Sequence, residues 1–299
     1  FVILNLQDNK PCSIVVKGGS FKNFNPADNI AENPKHNFCA EGYRVEPDGD
    51  WFDVIYDPYY GYTKVDNIKQ LRAAVAVANR NIAFGENIIV DDNLGTVEIS
   101  QSVNIDGFGK TFTGDMTLKA DVTIKNVNFE TSTASVNFIE ALENGAERYS
   151  TNITVENCTF TATGEAVNTA VGVQIKASKN AKVLNCTANG LHSLVQAQSC
   201  DEKVEVIDCT INGKNGVAFK QVKAATVDGT TIVATGYGIR FDGNIDNYGI
   251  LVKDNNVTAV QPFIVRKMTG ANNTITLEGE NTLNTEAEYQ IVITNGQDD

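Results

Sequence analysis

The chain has 299 residues and a formal net charge of −13. So acidic a surface lacks the basic footprint that a phosphate backbone or an anionic bilayer requires, which argues against nucleic acid and membrane partners. A hydrophobic content of 42% supports a folded core, yet no apolar run approaches the ~20 residues that span a bilayer, so no membrane insertion is expected.

The first residues, Phe1 to Leu4, read as a strand entered midway, so a piece of a longer chain is expected. Residues 1–57 form a β-rich module. Ser13 to Phe21 alternates as a strand and bends at Gly18-Gly19. Tyr43 to Val45 and Trp51 to Ile55 flank Asp48-Gly49, a hairpin signal. A linker, 58–66, carries Pro58, Tyr59, Tyr60 and Tyr62. A capping helix is predicted over 67–80, with Asp66 as N-cap and Ile68, Leu71, Val75 and Ala78 as its apolar stripe. It would cover the open end of a downstream solenoid or, alternatively, bind a partner.

Residues 81–299 carry an internal repeat. The phrase apolar-x-apolar-x-Asn/Asp-x-x-apolar recurs with its turn residue at 126, 157, 185, 208, 229 and 254. Asn and Asp at a bend suit left-handed backbone angles, and stacked Asn side chains can bond down the column. A second strand recurs every 22 to 24 residues. It runs Val173-Gln174-Ile175-Lys176, Val195-Gln196-Ala197-Gln198, Val217-Ala218-Phe219-Lys220, Ile239-Arg240-Phe241-Asp242 and Phe263-Ile264-Val265-Arg266. Two columns in constant register imply stacked coils about 4.8 Å apart, roughly eight of them.

On these repeats the chain resembles the right-handed parallel β-helix proteins of the pectin-lyase-like superfamily. The resemblance spans Asn81 to about Leu283. Phage fibres and tailspikes, bacterial surface proteins and polysaccharide-degrading enzymes share that architecture, so it implies a fold and leaves the activity open. The phrases Gly18 to Phe21, Phe24 to Asn29, Asn37-Phe38 and Glu41 to Tyr43 resemble segments that close a β-helical unit in surface and phage structural proteins. The expected fold is therefore all-β, a right-handed parallel β-helix with an N-terminal β-rich module and a short capping helix.

Cys158, Cys186 and Cys209 occupy one column, at the place Val127 holds in an earlier coil. They read as inward, free thiols acting as small apolar fillers, although coil spacing alone leaves a disulfide open. Histidine is scarce, with His36 and His192 only. His192 reads as a bend residue. Zinc, serine-hydrolase and phosphate-loop motifs are missing, so no metal or cofactor is expected.

The outward column is the candidate ligand site: Gln174, Lys176, Gln196, Gln198, Lys220, Arg240, Asp242 and Arg266. In the resembled enzymes the substrate lies across such a face. A glycosidase needs two flanking carboxylates and only Asp242 stands there, whereas a lyase could use Arg240 or Lys220 as base. Inserts at 141–150, with Glu143, Glu147 and Arg148, and at 243–248 map to loops. A calcium ion at Asp242, Asn244 and Asp246 is one reading of the second. Asn-x-Thr triplets at Asn152, Asn157, Asn185, Asn256 and Asn272 match a glycosylation pattern.

The expected function is a non-catalytic structural and adhesive component of a virion surface, a fibre or spike. Its partners would be copies of itself (a homotrimer by resemblance), other virion structural proteins and a host surface glycan. A polysaccharide lyase or hydrolase using Arg240, Asp242 and Lys220, and a bacterial cell-surface adhesin, are the alternatives. The net acidity weakens an acidic polysaccharide as ligand.

Overall fold

The computed structural model describes residues 14–29, 36–90, 95–142, 151–198, 200–243, 248–267 and 271–294. Cys12, the insert residues Glu143, Glu147 and Arg148, and Asn244 and Asp246 of the calcium reading lie outside the described residues.

The chain divides into two units, Phe1–Tyr62 and Thr63–Asp299. In the first, three antiparallel strands pair in the order Gly19–Lys22, Trp51–Tyr56, Tyr43–Asp48. The predicted hairpin forms, with Asp48 opposite Trp51 and Gly49 at φ 58°. Gly18 and Gly19 both have positive φ, 145° and 106°, which explains the bend. Among the described residues strand geometry begins there, and Val16 makes an isolated bridge to Cys39; Ser13, the predicted start, lies outside the described residues. A small core of Val16, Phe38 and Val54 holds the unit together.

The second unit is a parallel β-solenoid of about nine turns. Each turn lays one strand on each of three sheets. The first sheet has ten strands, from Thr63–Val65 to Thr274–Glu278. The second has nine, from Ile88–Ile89 to Thr282–Asn284. The third has nine, from Val97–Ile99 to Ile291–Thr294. The solenoid therefore starts at Thr63, inside the predicted linker, because Thr63–Val65 pairs with Ile82–Phe84. Among the described residues, no helix is long and apolar enough to cross a membrane.

The helix is Ile68–Val75, shorter than the predicted 67–80, and it buries Leu71, Ala74 and Val75. Its N-cap is Asn67, whose side chain accepts the Gln70 N–H at 3.0 Å. Asp66 is drawn off by Lys64, 3.1 Å away, while Gln70 reaches back to the Asp66 N–H at 2.6 Å. That reciprocal pair resembles a capping box displaced by one residue from the predicted start. Asn79, at φ 59°, turns the chain away, so Ala78 falls outside the helix and is exposed.

Both predicted registers are present. The turn column Asn126, Asn157, Asn185, Asp208 and Asp254 has φ of 56°, 53°, 51°, 53° and 53°, with Gly229 at 59° in the same place. These bends join the first sheet to the second. A non-glycine residue tolerates this conformation at little strain only when a short polar side chain can bond locally. Asn126 Nδ2 donates between coils to Asp106 Oδ1 at 3.0 Å, although Asp106 is the strand residue opposite Lys125 and not a member of the turn column. On the third sheet Gln174, Gln196, Ala218, Arg240 and Ile264 are direct ladder partners.

The residue after each left-handed bend points inward and forms a buried ladder of Val127, Cys158, Cys186, Cys209, Thr230 and Asn255. The thiols are free, as expected. They are more than apolar filler. Cys158, Cys186 and Cys209 each donate to the carbonyl two residues earlier, all at 3.3 Å, and Thr230 Oγ1 does the same at 3.1 Å. Bonds also run between coils: Cys209 N–H donates to Thr230 Oγ1 at 3.3 Å, and Thr230 N–H to Asn255 Oδ1 at 2.9 Å. The ladder satisfies backbone groups that the sharp bend removes from the sheets. The adjacent Cys158 thiol, with burial, pushes Cys186 up to about 12, and Cys209 is raised well above its ordinary value in the same way. Thiols held protonated like this are not nucleophiles.

Candidate functional site

The third sheet's outward face carries a hollow of about 220 Å³. Its floor exists because Ala218 stands between Gln196 and Arg240 in the column, where a long side chain would fill the space. Gly216 lets the strands approach closely beside it, since a Cβ there would meet the Gly238 carbonyl oxygen at 2.2 Å. Gln198, Lys220 and Asp242 close one side. His192 and Tyr237 close the other.

Five of the eight predicted residues therefore meet around one hollow: Gln196, Gln198, Lys220, Arg240 and Asp242. Gln174 does not join them. It is buried, and its amide donates to the Gln196 carbonyl at 3.1 Å. Lys176 is paired with Glu140 at 2.5 Å, two strands away from the floor. Arg266 stands behind Asp242, with its Nε 3.8 Å from Oδ1.

Asp242 is a clamp. Arg240 Nη2 donates to its Oδ2 at 2.8 Å and Arg240 Nε to its Oδ1 at 3.4 Å. The guanidinium carbon also lies 5.5 Å from the centre of the Tyr237 ring. Arg240 is thus fixed between a carboxylate and an aromatic face, with donor capacity left toward the hollow. Lys220 is exposed and, among the described residues, forms no ion pair, although Asp242 is its ladder partner. Burial raises the Tyr237 phenol and so keeps its proton in place.

His192 and Tyr237 are the lining residues that repeat-reading undervalued. Tyr237 sits three residues before Arg240 at the start of the same strand, so the 22-residue register does place it at the rim. His192 Nδ1 lies 3.3 Å from Asn215 Nδ2, which ties its ring to the next coil. Burial, with Lys214 nearby, lowers the His192 pKa. The folded state therefore binds this proton more weakly than the unfolded chain does. Stability is full above the ordinary histidine value of about 6.5 and falls as pH drops below it. Urea midpoints measured from pH 7.5 to 5 should decline less steeply for His192→Asn than for the wild type. Equal slopes would remove His192 as the titrating group.

Among the described residues, no group of three or more His, Cys, Asp or Glu side chains is placed to hold a metal ion. No protein-family model matches the chain, and no curated protein matches it. Two solved structures are similar. The SRRP of L. reuteri 53608 has 12% identity and a TM-score of 0.40, over 78% of this chain and 99% of that one. A Bacteroides ovatus protein, provisionally described as an immunoglobulin A1 protease, has 14% identity and a TM-score of 0.36, over 78% and 84%. The assignment of this chain to the parallel β-solenoids rests on its own three sheets and their register.

Proposed function

We propose that the chain is a non-catalytic, adhesive component of a surface assembly, a virion fibre or spike, and that it holds a host glycan in the hollow of the third sheet. The observation that carries this reading is the convergence of donors around Ala218: the Lys220 ammonium, the anchored Arg240 and the Gln196 and Gln198 amides. The one carboxylate on the described wall, Asp242, is held by Arg240 and Arg266, and two carboxylates would be needed for glycoside hydrolysis.

Charge sharpens the ligand. Among the described residues from Glu140 to Arg266, the outward face carries four cations, Lys176, Lys220, Arg240 and Arg266, against two carboxylates, Glu140 and Asp242. That local excess opposes the whole-chain charge of −13. It favours a glycan with an anionic substituent, a ligand that whole-chain acidity argued against.

The test is binding of the full chain to a panel of neutral, carboxylated and sulfated glycans. The anionic members should be retained, and Lys220→Ala should weaken them about tenfold, the loss of roughly one charge-assisted hydrogen bond. Retention of none of the panel sinks the adhesive reading. Release of oligosaccharides from a bound glycan sinks the non-catalytic one.

A further inference from the structure

His192 stands in the wall of the hollow, yet the donors around Ala218 do not include it. Its neighbours fix where its proton sits. Asn215 is buried, and its Oδ1 accepts the Tyr237 N–H at 3.1 Å. The other end of that amide, Nδ2, therefore faces the ring and donates to Nδ1 at 3.3 Å. Nδ1 is an acceptor in this arrangement, so the neutral ring carries its proton on Nε2. A proton added at Nδ1 would set two donors against each other. Asn215 cannot turn round to meet it without giving up the Tyr237 N–H.

The charges around the ring oppose the same proton. Lys214, exposed on the next coil, acts on it, and Lys220 and Arg240 share the hollow with it. Asp242, the carboxylate of that wall, is held by Arg240 and Arg266. The preceding coil supplies the Ala170 carbonyl, which accepts the His192 backbone N–H at 2.7 Å, and Glu165, exposed in its bend. Tyr237 keeps its phenolic proton. The ring is thus neutral near pH 7, with burial and Lys214 holding its pKa below the ordinary value.

We infer that His192 is a proton-gated member of the anion site in the hollow: once protonated it joins Lys220 and Arg240 as a cation, and affinity for an anionic glycan rises as the pH falls from neutral to mildly acidic. The inference rests on the glycan-binding reading and says how that same site is regulated. Linkage gives the sign. An anion in the hollow offsets the repulsion between the imidazolium and its cationic neighbours, so it binds the protonated form more tightly. Reciprocally, a bound anion strengthens the hold of His192 on its proton by the same factor. An uncharged ligand gains nothing from that proton.

The chain has two histidines, so proton NMR of the full chain follows two imidazole titrations, and His36→Gln assigns them. Inorganic sulfate is the probe, against sodium chloride at matched ionic strength, from pH 8 to 5. Sulfate keeps its charge over that range, which also stays above the ordinary carboxylate value of about 4. Sulfate should move the His192 midpoint up by as much as about one pH unit, and leave that of His36, in the other unit of the chain, in place. A sulfated glycan should bind the wild type about tenfold more tightly at pH 5 than at pH 7.5, and His192→Asn equally at both. Thermal melts at both pH values confirm folding, and His192→Gln carries the same comparison if His192→Asn unfolds. A His192 midpoint that sulfate leaves unmoved overturns the inference. So does equal glycan affinity of the wild type at the two pH values, or a pH dependence that survives loss of the imidazole. Retention of no glycan at either pH, with the His192 midpoint still raised by sulfate, sinks the adhesive reading and leaves the proton-gated anion site standing.

Discussion

Replacing Asn255 with Leu should destabilise the solenoid by about 3–5 kcal/mol, read from urea unfolding. Asn255 is 1% exposed. Its Oδ1 accepts the Thr230 N–H at 2.9 Å, and its Nδ2 donates to the Val227 carbonyl at 2.9 Å and to Asn281 Oδ1 at 3.1 Å. Leu is of similar size and removes every one of these bonds. The Thr230 N–H and the Val227 carbonyl would then be buried with that partner missing, the more damaging half of the change. Because coils contact only their neighbours, the loss should first appear as local opening around Thr230. Amide exchange at Thr230 should accelerate by roughly a hundredfold or more. Unchanged protection there would mean that the ladder does not hold the bend.

That ladder marks where sequence reading stops. The left-handed column was legible because Asn126, Asn157, Asn185 and Asp208 repeat one residue chemistry at a fixed place, and one backbone angle explains it. Of the inward neighbours, Cys158, Cys186 and Cys209 repeat one residue and read as a column of fillers, but the ladder continues through Thr230 and Asn255, which share no residue type with them. What they share is a short polar group that can reach a carbonyl. Their common role becomes visible only when the coils are stacked and the bend's unpaired N–H groups are counted. The candidate site divides in the same way. Period-two alternation placed Gln196, Gln198, Lys220, Arg240 and Asp242 on one face. It could not show that Ala218 makes the hollow, since an alanine in an outward column reads as an absence of chemistry. Nor could it show that the Gln174 amide is engaged by its neighbour's backbone.

Phe160→Ala should cost about 3–5 kcal/mol, and Phe160→Leu clearly less, with the same denaturant assay as the check. The reason is how the core distributes volume between sheets. On the second sheet the inward column runs Phe112, Phe129, Phe160, Ala188, Ile211 and Ile232. On the third it runs Leu118, Ala141, Ile175, Ala197, Phe219 and Phe241. Large rings thus stand on the second sheet in the early coils and on the third in the later ones. Where both columns carry alanine, at Ala188 and Ala197, the wholly buried Leu191 and Leu194 fill the section. Phe160 lies at the end of the first stack, parallel to Phe129 at 4.9 Å and 5°, and tilted against Phe138 at 5.7 Å. Its truncation would open a void that Ala188, its neighbour in the next coil, is too small to close. Stacked coils also resist the backbone collapse that would heal it, because any shift must be shared by three sheets in register. A loss below about 1.5 kcal/mol for Phe160→Ala would show that Phe138 or Leu191 swings into the space, and that the section is packed more loosely than its ring geometry implies.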